Sequence, residues 1–168
     1  WSPQTITDRG CGGSETAAAW VARELAKKDC FTVLYGMDGQ VWDGVIYRNH
    51  TSYTPNVSPH NLFISSRQPY IFNDEIPALQ KWLWVHDIHC RELLSPEIAE
   101  RISCIIALSH WHVGHLKRTY PFLKDCEVID MDDCEPTYED NWTPNTFFEN
   151  DKIQKLPKIA IIGDAIEA

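Results

Sequence analysis

The sequence has no long uninterrupted apolar run, only two methionines and no excess of positive charge. Without such a run, neither a signal peptide nor a membrane-spanning helix is predicted. Acidic residues outnumber Lys and Arg by 24 to 15, which gives a formal net charge of -9. A nucleic-acid interface depends mainly on the neutralisation of phosphates by Lys and Arg, so this balance argues against a nucleic-acid partner.

The six cysteines include no CxxC pair, and the chain has no GxSxG nucleophile motif. Cys30, Cys90 and Cys104 lie in or beside apolar runs, which favours buried thiols in a reducing compartment over a disulfide framework. We therefore expect a cytoplasmic protein and not a hydrolase with a covalent intermediate. The length of 168 residues predicts one domain with a proper core.

A glycine-rich stretch, Gly10 to Glu15, leads directly into an alanine-rich run that extends to Lys28. Glycines let backbone N–H groups approach a ligand, and Ser14 is a strong N-cap type. This pattern predicts a helix from Ser14 whose amino end favours a phosphate or carboxylate. Its buried face is predicted from the helical spacing of the larger apolar side chains. These are Ala17, Trp20, Val21 and Leu25.

Short apolar runs alternate with helix signals along the chain, which predicts an α/β fold: a Rossmann-like parallel sheet with helices on both faces. Strands are predicted at 31–35, 41–47 (interrupted at Asp43-Gly44 and placed at an edge), 62–65, 82–85, 104–108 and 159–162, and helices after Ser95 and Ser109. No apolar run precedes the glycine loop, so we interpret the chain as a fragment that lacks its first strand.

Polar side chains follow several of these strands, and ligands of open α/β sheets bind outside the carboxyl ends. We therefore expect one site built from the glycine loop and three strand ends. Its predicted members are Gly12, Gly13, Ser14, Arg67, His86, Asp87 and Ser109.

An acidic stretch at about 125–157 interrupts the alternation of predicted strands and helices. Along with aromatic and neutral polar residues, residues 125–151 hold ten acidic side chains, and they contain no Lys or Arg. We interpret the stretch as a solvated surface insertion. An aromatic flap over the site is the alternative.

Three histidines, His110, His112 and His115, resemble the HxHxDH signature of metallo-β-lactamase-like zinc hydrolases. Gly114 stands where that signature has Asp, and no histidine follows His115. His86, His89 and Cys90 form a second group of metal-ligand types. Neither group has a recognisable complete ligand set, so no metal site is predicted.

An ordered set of motifs resembles the N-terminal domain of family 4 glycosyltransferases of the GT-B fold. The set spans nearly the whole chain and comprises Trp1-Ser2-Pro3, Gly12 to Ala17, Asp43-Gly44-Val45 with Tyr47, Ile64 to Pro69, Leu83 to Asp87, Leu108 to His112 with His115-Leu116, and Tyr120-Pro121-Phe122. The run from Lys158 to Ile166 resembles the segment that leads into the second domain of that family.

The resemblance implies a hexosyltransferase of carbohydrate biosynthesis that transfers a sugar from a nucleotide-diphosphate donor to a glycan or other acceptor, with retention and without an essential metal. It implies that Gly12, Gly13 and Ser14 bind the donor diphosphate. His86 would contact the donor sugar as a catalytic residue, and Asp87 would orient His86 or touch the acceptor. Glu15, Arg67, Ser109 and Trp111 are expected on the acceptor side of the cleft.

The same resemblance implies a C-terminal donor-binding domain that this sequence does not include, so we expect the fragment to be inactive alone. Its expected partners are therefore the nucleotide sugar, the glycan acceptor, that second domain and a peripheral membrane contact. A non-catalytic glycan-binding module is a second alternative, beside the zinc hydrolase.

Overall fold

The computed structural model describes residues 3–8, 10–36, 39–54, 59–90, 93–131 and 158–162. The helices are α1 (Pro3–Asp8), α2 (Gly13–Lys27), α3 (Pro96–Ala99) and α4 (His110–Thr119). The strands are β1 (Phe31–Tyr35), β2 (Gln40–Trp42), β3 (Val45–Arg48), β4 (His60–Ser66), β5 (Ala78–Trp84), β6 (Cys104–Ala107), β7 (Val128–Asp130) and β8 (Lys158–Ile162). Among the described residues, 3-10 turns lie at His50–Ser52, Pro69–Asn73 and Pro121–Asp125.

The described strands form one eight-stranded sheet in the order β2-β3-β1-β8-β4-β5-β6-β7. All neighbouring pairs are parallel except the pair of β2 with β3. Two apolar clusters cover the two faces of the sheet, and α2 packs on one face while α3 and α4 pack on the other. The predicted α/β class, with a mainly parallel sheet and helices on both faces, is confirmed.

The last described strand, β8, lies in the middle of the sheet between β1 and β4. Its Ala160 and Ile161 are fully buried, as a strand covered on both faces requires. In the dinucleotide-binding strand order 3-2-1-4-5-6, this central position belongs to the strand that precedes the glycine loop. The sequence predicts β8 itself, but not that it fills this position.

Helix α2 begins one residue before the predicted start, and its buried face agrees with the prediction only in part. Gly12, not Ser14, is the N-cap, so the predicted role of Ser14 as the cap is wrong. The fully buried apolar residues are Ala18, Ala19 and Ala22. Of the predicted face, Ala17, Val21 and Leu25 are partly buried against the same cluster, whereas Trp20 is half exposed. The reason is steric: small side chains let the helix approach the sheet closely, and the larger residues lie at the margins of the contact.

The single edge strand predicted at 41–47 is a hairpin, because Asp43 and Gly44 form its turn between β2 and β3. Both turn residues have positive φ, 49° and 78°, as a two-residue turn of the tight primed type requires. Of these two strands, β2 lies at an edge of the sheet, whereas β3 pairs with β2 on one side and β1 on the other.

The helix starts predicted after Ser95 and Ser109 are confirmed, since each serine hydroxyl accepts a hydrogen bond from the backbone N–H three residues later. The predicted insertion at 125–157 is wrong at its beginning, where β7 pairs with β6. Residues 132–157 lie outside the described residues, and so do Trp1, Ser2 and 163–168. The predictions of a flap and of a link to a second domain fall on those parts.

Cys30, Cys90 and Cys104 are buried thiols, as predicted. Burial raises the pKa of the Cys90 thiol to about 12, which keeps it protonated and unreactive. Within the described part of the chain, no helix combines the length and apolar character needed to cross a bilayer.

Candidate functional site

The amino end of α2 and the carboxyl ends of β4 and β5 meet at one edge of the sheet. Arg67, directly after β4, directs Nη1 toward the Ser14 hydroxyl oxygen at 3.5 Å. On its other side, Arg67 donates from Nε and Nη2 to Oδ2 of Asp87, at 2.9 and 2.7 Å. Ser14, Arg67 and Asp87 therefore form one contact chain that joins the glycine loop to two strand ends.

Arg67 has a φ of 70°, in the left-handed region that non-glycine residues seldom occupy. Its backbone N–H nevertheless donates to the carbonyl of Trp84 at 2.9 Å, so β4 stays paired with β5 up to this point. The unusual backbone turns the guanidinium across the end of β5. Strained backbone of this kind occurs preferentially at binding and catalytic sites.

Glu15 lies at the first turn of α2 with only 2% of its surface exposed. The Ser14 hydroxyl donates to its Oε2 at 3.0 Å. A Cβ atom at Gly12 would lie 2.1 Å from the same oxygen, so any side chain at this position would force the Glu15 carboxylate to move. The loop therefore holds a carboxylate at the amino end of the helix, where the helix dipole favours negative charge.

His86 and Asp87 follow β5 but differ in surroundings. The His86 ring packs on Trp84, with ring centroids 4.4 Å apart and planes at 40°. Asp87 is exposed and is the residue that bonds to Arg67. Of the two predicted catalytic residues, Asp87 thus belongs to the contact chain with the glycine loop, while His86 lies against the aromatic ring of Trp84.

Ser109 and Trp111 lie at the start of α4, after β6. The Ser109 hydroxyl accepts from the His112 N–H at 3.3 Å, so the observed role of Ser109 is helix capping. Trp111 is 62% exposed and stacks on His115, with ring centroids 5.0 Å apart and planes at 11°. This exposed flat ring suits contact with the apolar face of a sugar or another ring.

The three histidines of the HxHxDH-like motif contact three different partners. His110 Nδ1 lies 2.5 Å from Oδ2 of buried Asp130, and His112 Nδ1 accepts from the Leu108 N–H at 3.2 Å. His115 Nε2 lies 3.4 Å from Nδ1 of His89. Among the residues that the structure describes, no group of three or more His, Cys, Asp or Glu side chains is arranged to hold a metal ion.

Burial lowers the pKa of His112, and the proximity of His115 and His89 lowers it further. The imidazole therefore stays neutral at physiological pH and ties the first turn of α4 to the end of β6. Asp130 was not a predicted site residue. Asp130 follows a short apolar run, as the other strand-end polar residues do, but the many acidic residues that come after it make this pattern hard to recognise in the sequence.

Comparisons with protein-family models, with curated proteins and with solved structures give no match to this chain. The arrangement of residues at the carboxyl edge is therefore the basis for any statement about function.

Proposed function

We propose that this chain is the N-terminal, acceptor-side domain of a retaining GT-B glycosyltransferase of the family 4 type. Its substrates are a nucleotide-diphosphate sugar and a glycan or similar hydroxyl acceptor. The single observation that carries the proposal is the contact chain of Ser14, Arg67 and Asp87, which sets a guanidinium opposite the amino end of α2. A guanidinium and a helix amino end together favour a phosphate-bearing ligand.

The Glu15 carboxylate already lies at the amino end of α2, and it affects how a diphosphate would bind there. A diphosphate would either contact Arg67 and the exposed Gly13 backbone or displace the Glu15 side chain. In both cases the negative charge of Glu15 opposes phosphate binding. Replacing Glu15 with glutamine keeps a hydrogen-bond acceptor for Ser14 and removes this repulsion.

Transfer of the sugar requires stabilisation of positive charge on its ring and of negative charge on the departing diphosphate. Arg67 and the α2 backbone would stabilise the departing diphosphate. His86, expected at the donor sugar from the resemblance, would stabilise the ring, and Asp87 would hold the acceptor once Arg67 turns to the phosphate. Trp111 offers a stacking surface for the acceptor.

The test uses the purified protein at its natural length with a panel of uridine and guanosine diphosphate sugars. Calorimetry measures donor affinity, and release of nucleoside diphosphate in the presence of candidate acceptors measures turnover. Arg67→Ala is expected to weaken donor binding about 10-fold or more, since a hydrogen bond to a charged group contributes about 1.5–3 kcal/mol. Glu15→Gln is expected to strengthen it.

Arg118→Ala is the charge-matched control, because this arginine is exposed and lies near the carboxyl end of α4, whereas Ser109 and Trp111 lie at its amino end. His86→Ala is expected to reduce turnover far more than donor affinity. Binding of a candidate glycan acceptor, with neither donor binding nor turnover in the unmodified protein, would instead identify a glycan-binding module. Equal effects of the Arg67 and Arg118 substitutions would refute the proposed phosphate site.

A further inference from the structure

Two histidines that are distant in sequence meet beside the candidate site. His89 lies in the segment after β5, and His115 lies on α4. Nδ1 of His89 and Nε2 of His115 are 3.4 Å apart, with ring centroids at 5.1 Å and planes at 44°. The Thr119 hydroxyl lies 3.4 Å from the same Nε2 of His115.

We propose that His89 and His115 bind a divalent transition-metal ion, of the Zn²⁺ or Co²⁺ type, through these two nitrogens. Tetrahedral zinc lies about 2.0–2.1 Å from imidazole nitrogen, which places two ligand nitrogens about 3.3–3.4 Å from each other. The spacing of the two nitrogens already matches this value. This inference is independent of the proposed glycosyl transfer.

The surroundings of the pair allow an ion to enter. His89 is exposed and His115 is half buried. Water would take the two remaining positions of a tetrahedral ion. Imidazole ligands favour zinc, copper, cobalt and nickel over magnesium and calcium. With two protein ligands and no third acidic or sulfur ligand among the described residues, the ion is exchangeable rather than a structural zinc.

The proton balance of binding follows from the contact between the two rings. In the ion-free pair, one nitrogen donates its hydrogen to the other. For both nitrogens to offer lone pairs, the donor ring must carry its hydrogen on its other nitrogen, a tautomer exchange through solvent. After this exchange, each ring offers one lone pair to the ion, and binding to this tautomer releases no proton.

A bound ion would link the segment after β5, which carries Asp87, to helix α4. Because the preformed pair would bind the ion more tightly than the unfolded chain does, the ion would stabilise the fold, and the stabilisation would increase with the ion concentration. It would also lie beside Trp111, whose ring stacks on His115. Trp111 therefore serves as a built-in reporter for binding of a paramagnetic ion.

The test uses the full chain, freed of metal, with accessible thiols alkylated so that thiolates do not compete. ZnCl₂ and CoCl₂ are titrated by calorimetry, with melting temperature and tryptophan emission as further readouts, and no nucleotide sugar is present. We expect one ion bound per chain, a higher melting temperature with Zn²⁺ and quenching by Co²⁺. Trp111→Phe should remove most of the quenching but retain the binding.

His89→Ala and His115→Ala should each lower the affinity for Zn²⁺ at least 10-fold. His50→Ala is the matched control, because His50 is exposed in a 3-10 turn and its substitution should leave the affinity unchanged. Circular dichroism of the variants confirms that they fold, and His89→Gln provides a second substitution of the exposed ligand. Unaltered Zn²⁺ affinity in both ligand variants, or no binding by the unmodified chain, would overturn the proposal and leave a simple hydrogen bond between two imidazoles.

Discussion

Arg67 donates from two nitrogens to a single carboxylate oxygen of Asp87, and it does so from a left-handed backbone conformation. The ion pair is partly exposed, with 30% of the Arg67 side chain and 55% of the Asp87 side chain accessible. Exposed pairs contribute about 0–1 kcal/mol, whereas a strained backbone costs about 1–3 kcal/mol. Stability alone therefore does not account for an arginine at this position, which supports the proposed role of Arg67 in phosphate binding.

This comparison predicts that Arg67→Gly is more stable than Arg67→Ala by about 1 kcal/mol, since both lose the guanidinium but only glycine adopts positive φ without strain. Urea denaturation followed by circular dichroism gives the two free energies of unfolding. Equal stability of the two variants would show that the backbone at this position is not strained.

Gly12 and Gly13 offer a second matched pair. A methyl group at Gly12 would press on the Glu15 carboxylate, whereas a methyl group at Gly13 meets no atom within 4 Å. Gly12→Ala should therefore cost about 1–3 kcal/mol, because the buried Glu15 side chain must leave its place. Gly13→Ala should be neutral or slightly stabilising. Chemical denaturation of both variants tests this, and similar values for the two would contradict the observed packing of Glu15.

The sequence was sufficient for elements whose signals are local. The β-branched run of β1 and the serine caps of α3 and α4 are determined by neighbouring residues, and the structure has them as predicted. The buried face of α2 was predicted only in part: Ala17, Val21 and Leu25 pack on the core, but Trp20 does not. The choice between the alanines and Trp20 depends on how closely the helix approaches the sheet. The position of β8 was missed for the same physical reason, since strand pairing is set by contacts distant in sequence.

The candidate site was predicted in part. Its location at the carboxyl edge follows from the general geometry of parallel sheets, and Ser14, Arg67 and Asp87 are brought together there. The twist of the sheet and the local turn after β5 determine whether His86 or Asp87 faces the glycine loop. The sequence therefore did not predict which of these two residues belongs to the contact chain. The contact of His89 with His115 joins two motifs that were considered separately in the sequence.

Because β8 lies in the middle of the sheet, truncation of an apolar side chain there should lower the free energy of unfolding much more than truncation of an exposed one. Ile161 is fully buried between β1 and β4, so Ile161→Ala should cost about 2–5 kcal/mol. Leu79→Ala, at an exposed position near the start of β5, should change stability by less than about 0.5 kcal/mol. The two free energies of unfolding are measured under identical conditions. A small effect at Ile161 would mean that the strand does not lie in the middle of the sheet.

The depressed pKa of His112 predicts a pH dependence of stability. Its pKa in the folded protein lies below the value of 6.5 expected for the unfolded chain, mainly through burial. Between these two values the unfolded chain binds more protons, so the contribution of His112 is complete above about pH 6.5 and is lost as the pH falls through the folded pKa.

We therefore expect the free energy of unfolding to decrease between pH 7 and pH 5, and we expect His112→Asn to make this decrease shallower. Asparagine retains an acceptor for the Leu108 N–H but carries no titrating group. The effect is up to about 1.4 kcal/mol for each unit by which the pKa is lowered. The exposed His50, replaced in the same way by asparagine, serves as the control and should leave the slope unchanged. An identical slope in the His112→Asn variant would assign the pH dependence to other groups, of which buried His60 is the first to examine, since burial also lowers its pKa.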